Sequence, residues 1–209
     1  MIKFMLRGDK MPNVRQPIKA NSIEKKRRII EAGLEIFEEK GYYNTNTAEI
    51  AKRANVSSGI VYSYFKDKKD IFMQALEIYF KKQFTSIIEA FNKIDKIDNL
   101  ESTIRALIYE NIDAHKQNSK AHEEMLAMDH LDNDVHKFFV EEEHKIIHSI
   151  VDTLERLGYK LNNANEKAHL AYTLIENLTH DMAFHKHEDV DYDIMINETI
   201  SIVSHLLKE

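Results

Sequence analysis

Proline stops at residue 17. Of 209 residues only two are proline, Pro12 and Pro17, and of five glycines only Gly33, Gly41, Gly59 and Gly158 lie beyond the first ten residues. From Ile18 to Glu209 every residue therefore keeps a backbone N–H for a hydrogen-bonded ladder. The long alternating runs of Val, Ile and Thr that strands need are missing as well, so the scarcity of breakers predicts an all-α protein. The absence of cysteine excludes a disulfide framework, a thiolate zinc site and a cysteine nucleophile. No stretch approaches the roughly 18 apolar residues of a membrane span. The opening MIKFMLRGDK has no apolar core or small-residue cleavage site of a signal peptide, so the cytoplasm is the expected location.

Charge divides the chain. A formal net charge of −6 argues, on its own, against a nucleic-acid partner. Residues 1–70, however, carry 15 Lys and Arg against 9 Asp and Glu, while residues 71–209 carry 14 against 26. A head of +6 on a body of −12 points to nucleic-acid binding by the first third alone.

Periodicity and capping signals predict about nine helices, two of them very short. Residues 1–20 read as a tail without fixed structure. The first helix is expected from Asn21, which has capping-box spacing to Glu24, to Gly41, with Ile30, Leu34 and Phe37 on its buried stripe. Asn46 and Glu49 have the same spacing and open a short helix through Ile50, Ala51 and Ala54. A turn at Asn55-Val56-Ser57 leads to a second short helix from Ser58 to about Phe65, and a long helix runs from about Lys69 to Ile94. Further helices are expected near Leu100 to Gln117, Lys120 to His130, Asp134 to Leu157, Ala164 to His187, and Tyr192 to Leu207.

The two short helices form a helix-turn-helix pattern. Ser57, Ser58 and Gly59 carry no bulky side chains, so the second short helix can bring its open backbone N–H groups close to DNA. Tyr62 and Tyr64 offer phenolic hydrogen bonds, and Lys68 stands at the positive end of the next helix, where both can act on one phosphate. Ile50, Val61 and Phe65 read as packing residues.

The segment FEEKGYYNTNTAEIAKRANVSSGIVYSYFKDKKDIF resembles the N-terminal domain of the TetR family of bacterial transcriptional repressors. Phe37, Gly41-Tyr42, Ile50-Ala51, Ala54, Val56-Ser57, Gly59, Tyr62, Tyr64-Phe65 and Lys68 carry the resemblance, which covers about residues 23–83. It implies that Thr47, Ser57, Tyr62 and Lys68 grip phosphates and that Ser58, Gly59, Ile60, Ser63 and Tyr64 face the major groove. Two positions depart from the family pattern: Asn55 replaces a frequent turn glycine, and Ser58 replaces a frequent lysine. Asn tolerates the left-handed backbone a turn needs, whereas Ser58 removes one long reach toward a guanine or phosphate.

The same resemblance implies a helix-turn-helix domain at 21–68 and a larger helical effector-binding and dimerisation domain at 69–209. The partners it implies are an operator of double-stranded DNA, a second copy of the chain and a small effector, without a membrane. The last two helices would form the dimer face. Ala168, Ala171, Tyr172, Ile175 and Leu178 share one stripe, and Ile196, Ile200, Val203 and Leu207 another; periodicity leaves open whether these are interface or intrachain core. Candidate pocket residues are Phe84, Ile104, Ile108, Tyr109, Met125, Met128, Phe138, Phe139 and Tyr172, with Asn111, His115, Asn177 and His180 as polar groups that orient a ligand. Such a lining suits an apolar or aromatic compound.

His144 and His148, spaced i,i+4, have the geometry of two metal ligands, and His180 with Asp181 could complete their site. They stand in a charged run, EEEHK, where solvated histidines are the expected outcome, so neither a metal nor a cofactor is expected. No nucleophile motif, phosphate-binding glycine loop or catalytic triad is present, and the chain does not read as an enzyme. The expected function is a dimeric repressor released from a pseudo-palindromic operator by an effector. The alternative is a DNA-binding-fold protein acting through a protein partner, as a co-activator or chromosome-organising factor.

Overall fold

Helices end where local chemistry ends them. Gly41 and Gly158 take the left-handed conformation, at φ 85° and 89°, and each stops a helix as a residue without Cβ can. Asn46 accepts the Glu49 N–H while the Glu49 carboxylate accepts the Asn46 N–H, a reciprocal capping box. Asn55, at φ 53°, forms the turn into the next helix.

The computed structural model describes residues 20–92, 97–117 and 119–208, with the side chains at 20, 82–92, 117 and 119–121 outside that description. Among the described residues the chain forms nine helices: α1 (Ala20–Lys40), α2 (Thr47–Arg53), α3 (Ser58–Tyr64), α4 (Lys68–Asn92), α5 (Leu100–Gln117), α6 (Ser119–Leu131), α7 (Asn133–Arg156), α8 (Ala164–Phe184) and α9 (Tyr192–Leu206). The fold is all-α. The expected tail at 1–19 lies outside the described residues. Helix α1 has already begun at Ala20, so Asn21 sits inside it and does not cap it; Glu24 instead accepts from Arg27 at 2.8 and 3.0 Å. No helix among the described residues is long and apolar enough to cross a membrane.

Two compact units divide the chain, Met1–Glu77 and Ile78–Glu209. The division falls inside α4, later than the expected boundary at 68/69, because the first turns of α4 belong to the core of the first unit. The Phe72 ring packs edge-on to Phe37 and Tyr42, with centroids 5.4 and 5.2 Å apart. Phe37, Phe65, Phe72, Ile29, Ile50, Ile71 and Leu76 are fully buried.

In the second unit α5 packs on α8 and α9, and α7 on α6 and α8. Leu100, Ile104, Ile108 and Ile112 of α5 meet Ala171 and Leu178 of α8 and Ile196, Ile200 and Val203 of α9 in one core, which Leu207 also joins. The stripes considered for dimerisation are thus covered within the chain. What α8 and α9 leave exposed is a different set: Leu170, Leu174, Ile194 and Ile202.

In the first unit Gly33 on α1 lets α4 approach closely. A Cβ there would stand 2.7 Å from Cγ2 of Ile71, a stiff, fully buried β-branched side chain. Alanine in a helix interior ordinarily gains about 1 kcal/mol over glycine. At this position overpacking reverses the sign: Gly33→Ala is expected to lower stability by about 1–3 kcal/mol, read as a lower urea midpoint, and a raised midpoint would contradict the packing described.

Candidate functional site

The first unit presents a short helix with two unlike faces. Val61 and Tyr64, spaced i,i+3 on α3, are buried, and Phe65 follows them into the core. On the other side Ser57, Ser58 and Gly59 are exposed, as is Tyr62, while Ile60 and Ser63 are half-buried. Tyr64 therefore does not face a DNA groove, contrary to the expectation from sequence. Its ring fills the hydrophobic side of a seven-residue helix, and only Tyr62 projects outward. The space around Gly59 is open, with Ser57 Oγ at 4.0 Å as the nearest atom to an added Cβ.

Two contacts organise the remaining phosphate-gripping candidates. Thr47 Oγ1 and Tyr62 Oη are 2.8 Å apart, so the first residue of α2 fixes the tyrosine. The Lys68 ammonium donates to the carbonyl oxygens of Tyr42 at 2.6 Å and Thr45 at 2.8 Å and lies 4.2 Å from the Tyr42 ring centroid. Lys68 thus ties down the loop before α2, and burial holds its pKa below the usual lysine value.

In the second unit a cavity of about 290 Å³ opens between α4, α5, α6, α7 and α8. Its apolar and aromatic lining comprises Tyr79, Phe80, Leu126, Phe139, Val140 and Ile146. Phe80 and Phe139 pack edge to face at 4.9 Å. Its polar lining includes Asn111, His115, His122, Glu143 and Glu176. His115 Nδ1 donates to the Asn111 carbonyl at 2.9 Å and its Nε2 to Glu176 Oε1 at 3.0 Å. Donating from both nitrogens requires the imidazolium. The Asn111 amide donates to Glu176 Oε2 at 3.0 Å and to Thr179 Oγ1 at 2.9 Å.

Electrostatics follow from this geometry. Burial pushes the His115 pKa down, but Glu176 and the Asn111 carbonyl outweigh it and leave the value raised. Burial likewise opposes ionisation of Glu176, whose pKa is nevertheless lowered by His115 and Asn111. Glu176 lines the cavity with 32% of its side chain solvent-accessible, so its carboxylate is offered to whatever enters. His122 is driven down to about 4 by burial and by His115, and is neutral at neutral pH. Burial, with Glu176 and Glu143 nearby, raises the Tyr172 phenol.

The pocket candidates separate clearly. Asn111, His115, Phe139, Tyr172 and Asn177 line the cavity. Ile104 and Ile108 belong to the α5 core, Met125 and Met128 are buried away from the lining, and Tyr109 is exposed. Phe138 packs on Phe80 at 5.2 Å behind the wall. The Phe84 side chain lies outside the described residues. His180 stands beside the lining, 5.8 Å from the His122 ring. It does not join His144 and His148, which are exposed on α7 and line a separate surface groove with His169. Sequence reasoning missed Glu176 and His122. A signal existed for Glu176, which falls one helical turn from both Tyr172 and His180.

A bipartite helical protein with a helix-turn-helix in one unit and a cavity in the other is the class these observations define. A family model described as bacterial regulatory proteins, tetR family, matches residues 29–75. Over these residues the chain is similar to the N-terminal domain of that family. It is 38% identical over 93 residues to the uncharacterized HTH-type transcriptional regulator YuxN of Bacillus subtilis (strain 168), covering 44% of this chain and 32% of YuxN. The chain spans between 24% and 56% of the length of this and other curated relatives. The fold is similar to that of a transcriptional regulator from Aquifex aeolicus VF5, with a TM-score of 0.61 and 21% identity over 87% of this chain and 99% of that one. It is also similar to a protein from Saccharomonospora viridis in complex with choline, with a TM-score of 0.65 and 19% identity over 90% of this chain and 99% of that one.

The two tyrosines of α3 give opposite expectations. Tyr64→Ala empties a buried site and should destabilise the first unit by about 3–5 kcal/mol. Tyr62→Ala, at an exposed position, should change stability by no more than about 0.5 kcal/mol. Equal losses in thermal unfolding would show that the faces are assigned wrongly.

Proposed function

We propose that the protein is a dimeric transcriptional repressor in the cytoplasm, released from a pseudo-palindromic DNA operator by a small effector. The observation that carries this reading is the pairing of an exposed small-residue and tyrosine face on α3 with a cavity in the second unit. The absence of bulk at Ser57, Ser58 and Gly59 lets α3 enter a major groove, where Ser58, Gly59, Ile60 and Ser63 meet base edges. Thr47, Ser57 and Tyr62 hold phosphates, with Thr47 already orienting Tyr62 and Lys68 bracing the loop before α2. A single short helix reads few base pairs, so two copies of the chain are needed for a usable operator. Leu170, Leu174, Ile194 and Ile202, exposed on α8 and α9, supply the apolar face for that association.

The effector carries an apolar or aromatic body against Phe80 and Phe139 and a polar group toward Glu176. Helix α4 links the events: Ile71 and Phe72 belong to the first unit's core, and Tyr79 and Phe80 to the cavity wall. Effector binding favours a position of α4 in which the two α3 helices no longer match successive major grooves. No catalytic role is assigned to any residue.

Footprinting on the DNA flanking the gene should reveal a protected pseudo-palindrome, and its absence there and genome-wide would overturn the reading. Tyr62→Ala should weaken binding by a similar factor across sequences, with operator preference and the salt dependence of binding unchanged. A double Leu170→Glu, Leu174→Glu variant should sediment as a monomer and lose operator binding at concentrations where the parent binds. A dimer that survives the double change would place the interface elsewhere.

A further inference from the structure

We propose that His115, His122 and Glu176 form a binding site for a divalent first-row transition metal ion of the zinc class, with an open coordination position facing the cavity. Three helices converge to build it: α5 supplies His115, α6 His122 and α8 Glu176. One ring nitrogen from each histidine and one carboxylate oxygen all lie within 4.8 Å of one another, and His115 Nε2 is already 3.0 Å from Glu176 Oε1; the proton that Nε2 donates there is released to solvent when the metal takes its place. Ligand atoms around tetrahedral zinc stand about 3.3 Å apart, given metal–ligand bonds near 2.1 Å. The three ligand atoms need to draw in from within 4.8 Å to that spacing.

The surroundings are those of a metal ligand sphere. His115 Nδ1 is bound to a main-chain carbonyl, that of Asn111, which aims Nε2 inward. The Glu176 oxygen away from His115 is held by the Asn111 amide, so one asparagine supports two of the three ligands. Two imidazoles and one carboxylate suit zinc, nickel or cobalt rather than magnesium or calcium, which prefer all-oxygen sets. Three protein ligands beside a cavity leave the fourth position to water or to an oxygen or nitrogen donor on an incoming molecule. The sequence did not lead to this site, because its ligands come from three separate helices and share no spacing motif.

The inference uses the same cavity as the repressor reading, and its test keeps the two apart. Full-length protein freed of any affinity tag and stripped with a chelator is titrated with Zn²⁺ by calorimetry and with Co²⁺ by visible absorption. One ion per chain is expected, with ligand-field bands that mark a low-coordinate cobalt site. His122→Gln should weaken binding by at least the tenfold to hundredfold seen on losing outer-shell support, and His144→Gln should leave it unchanged. Glu176→Gln serves as the second ligand variant if His122→Gln does not fold. No saturable binding, or binding indifferent to both ligand variants, would overturn the proposal. Operator binding is measured on the same samples. Zinc binding without DNA binding would count against the repressor reading alone, and DNA binding without zinc binding against the metal site alone.

Discussion

Glu176 places a carboxylate deep in a helical body whose packing is otherwise done by leucine, isoleucine and alanine. Taking such a charge out of water costs several kcal/mol unless partners replace the lost hydration. His115 and Asn111, one turn apart on α5, supply those partners, and Thr179 ties Asn111 back to α8. Four side chains thus fix how α5 lies along α8. Sliding either helix by a turn would separate the carboxylate from both donors, a penalty that apolar side chains alone cannot impose. The hydrogen bonds of the polar cluster define the register of this helix pair.

The cavity follows from the same constraint. A carboxylate, two imidazoles and their hydrogen-bond partners cannot be packed over by aliphatic side chains without leaving polar atoms unsatisfied. The space beside them is lined instead by aromatic rings from α4 and α7, with Phe80 edge-on to Phe139 at 89° and to Tyr79 at 71°. A lining of both aromatic and polar side chains suits amphiphilic rather than wholly apolar contents. An effector chosen from sequence as apolar or aromatic accounts for only part of that lining.

What was legible in the sequence was local. Gly41, Gly158, Asn46 and Asn55 act through their own backbone or their nearest neighbours, so the helix ends and the turn could be placed before any packing was known. The two faces of α3 were not separable in the same way. Tyr62 and Tyr64 differ only in direction on a helix of seven residues, and the direction is set by where Phe65 and the α4 residues build the core. Periodicity on α8 and α9 found a buried stripe correctly but carried no information on which surface buries it. Glu176 and His122 were passed over because each looks like an ordinary polar residue on its own helix. Their meaning arises when α5, α6 and α8 come together.

Charge shows the same limit of counting. The +6 of the first 70 residues suggests a surface that clings to phosphates, yet several of its cations are engaged within the domain. Arg53 is held by Glu35 and Glu39, Arg27 by Glu24 and Glu31, and Lys40 by Glu49. Arg28 donates to the carbonyl groups of Ala54 and Asn55, across the turn that Asn55 makes, and Lys68 donates to those of Tyr42 and Thr45. These arginines and lysines hold α1, α2 and the loops around the short helices in place. The exposed face of α3 itself offers hydroxyl groups and bare backbone from Ser57, Ser58, Gly59 and Tyr62. Recognition built on such groups depends on close fit and hydrogen bonding, with few counterions displaced. The cations make that fit possible by fixing the framework, and the small residues of α3 make the contact.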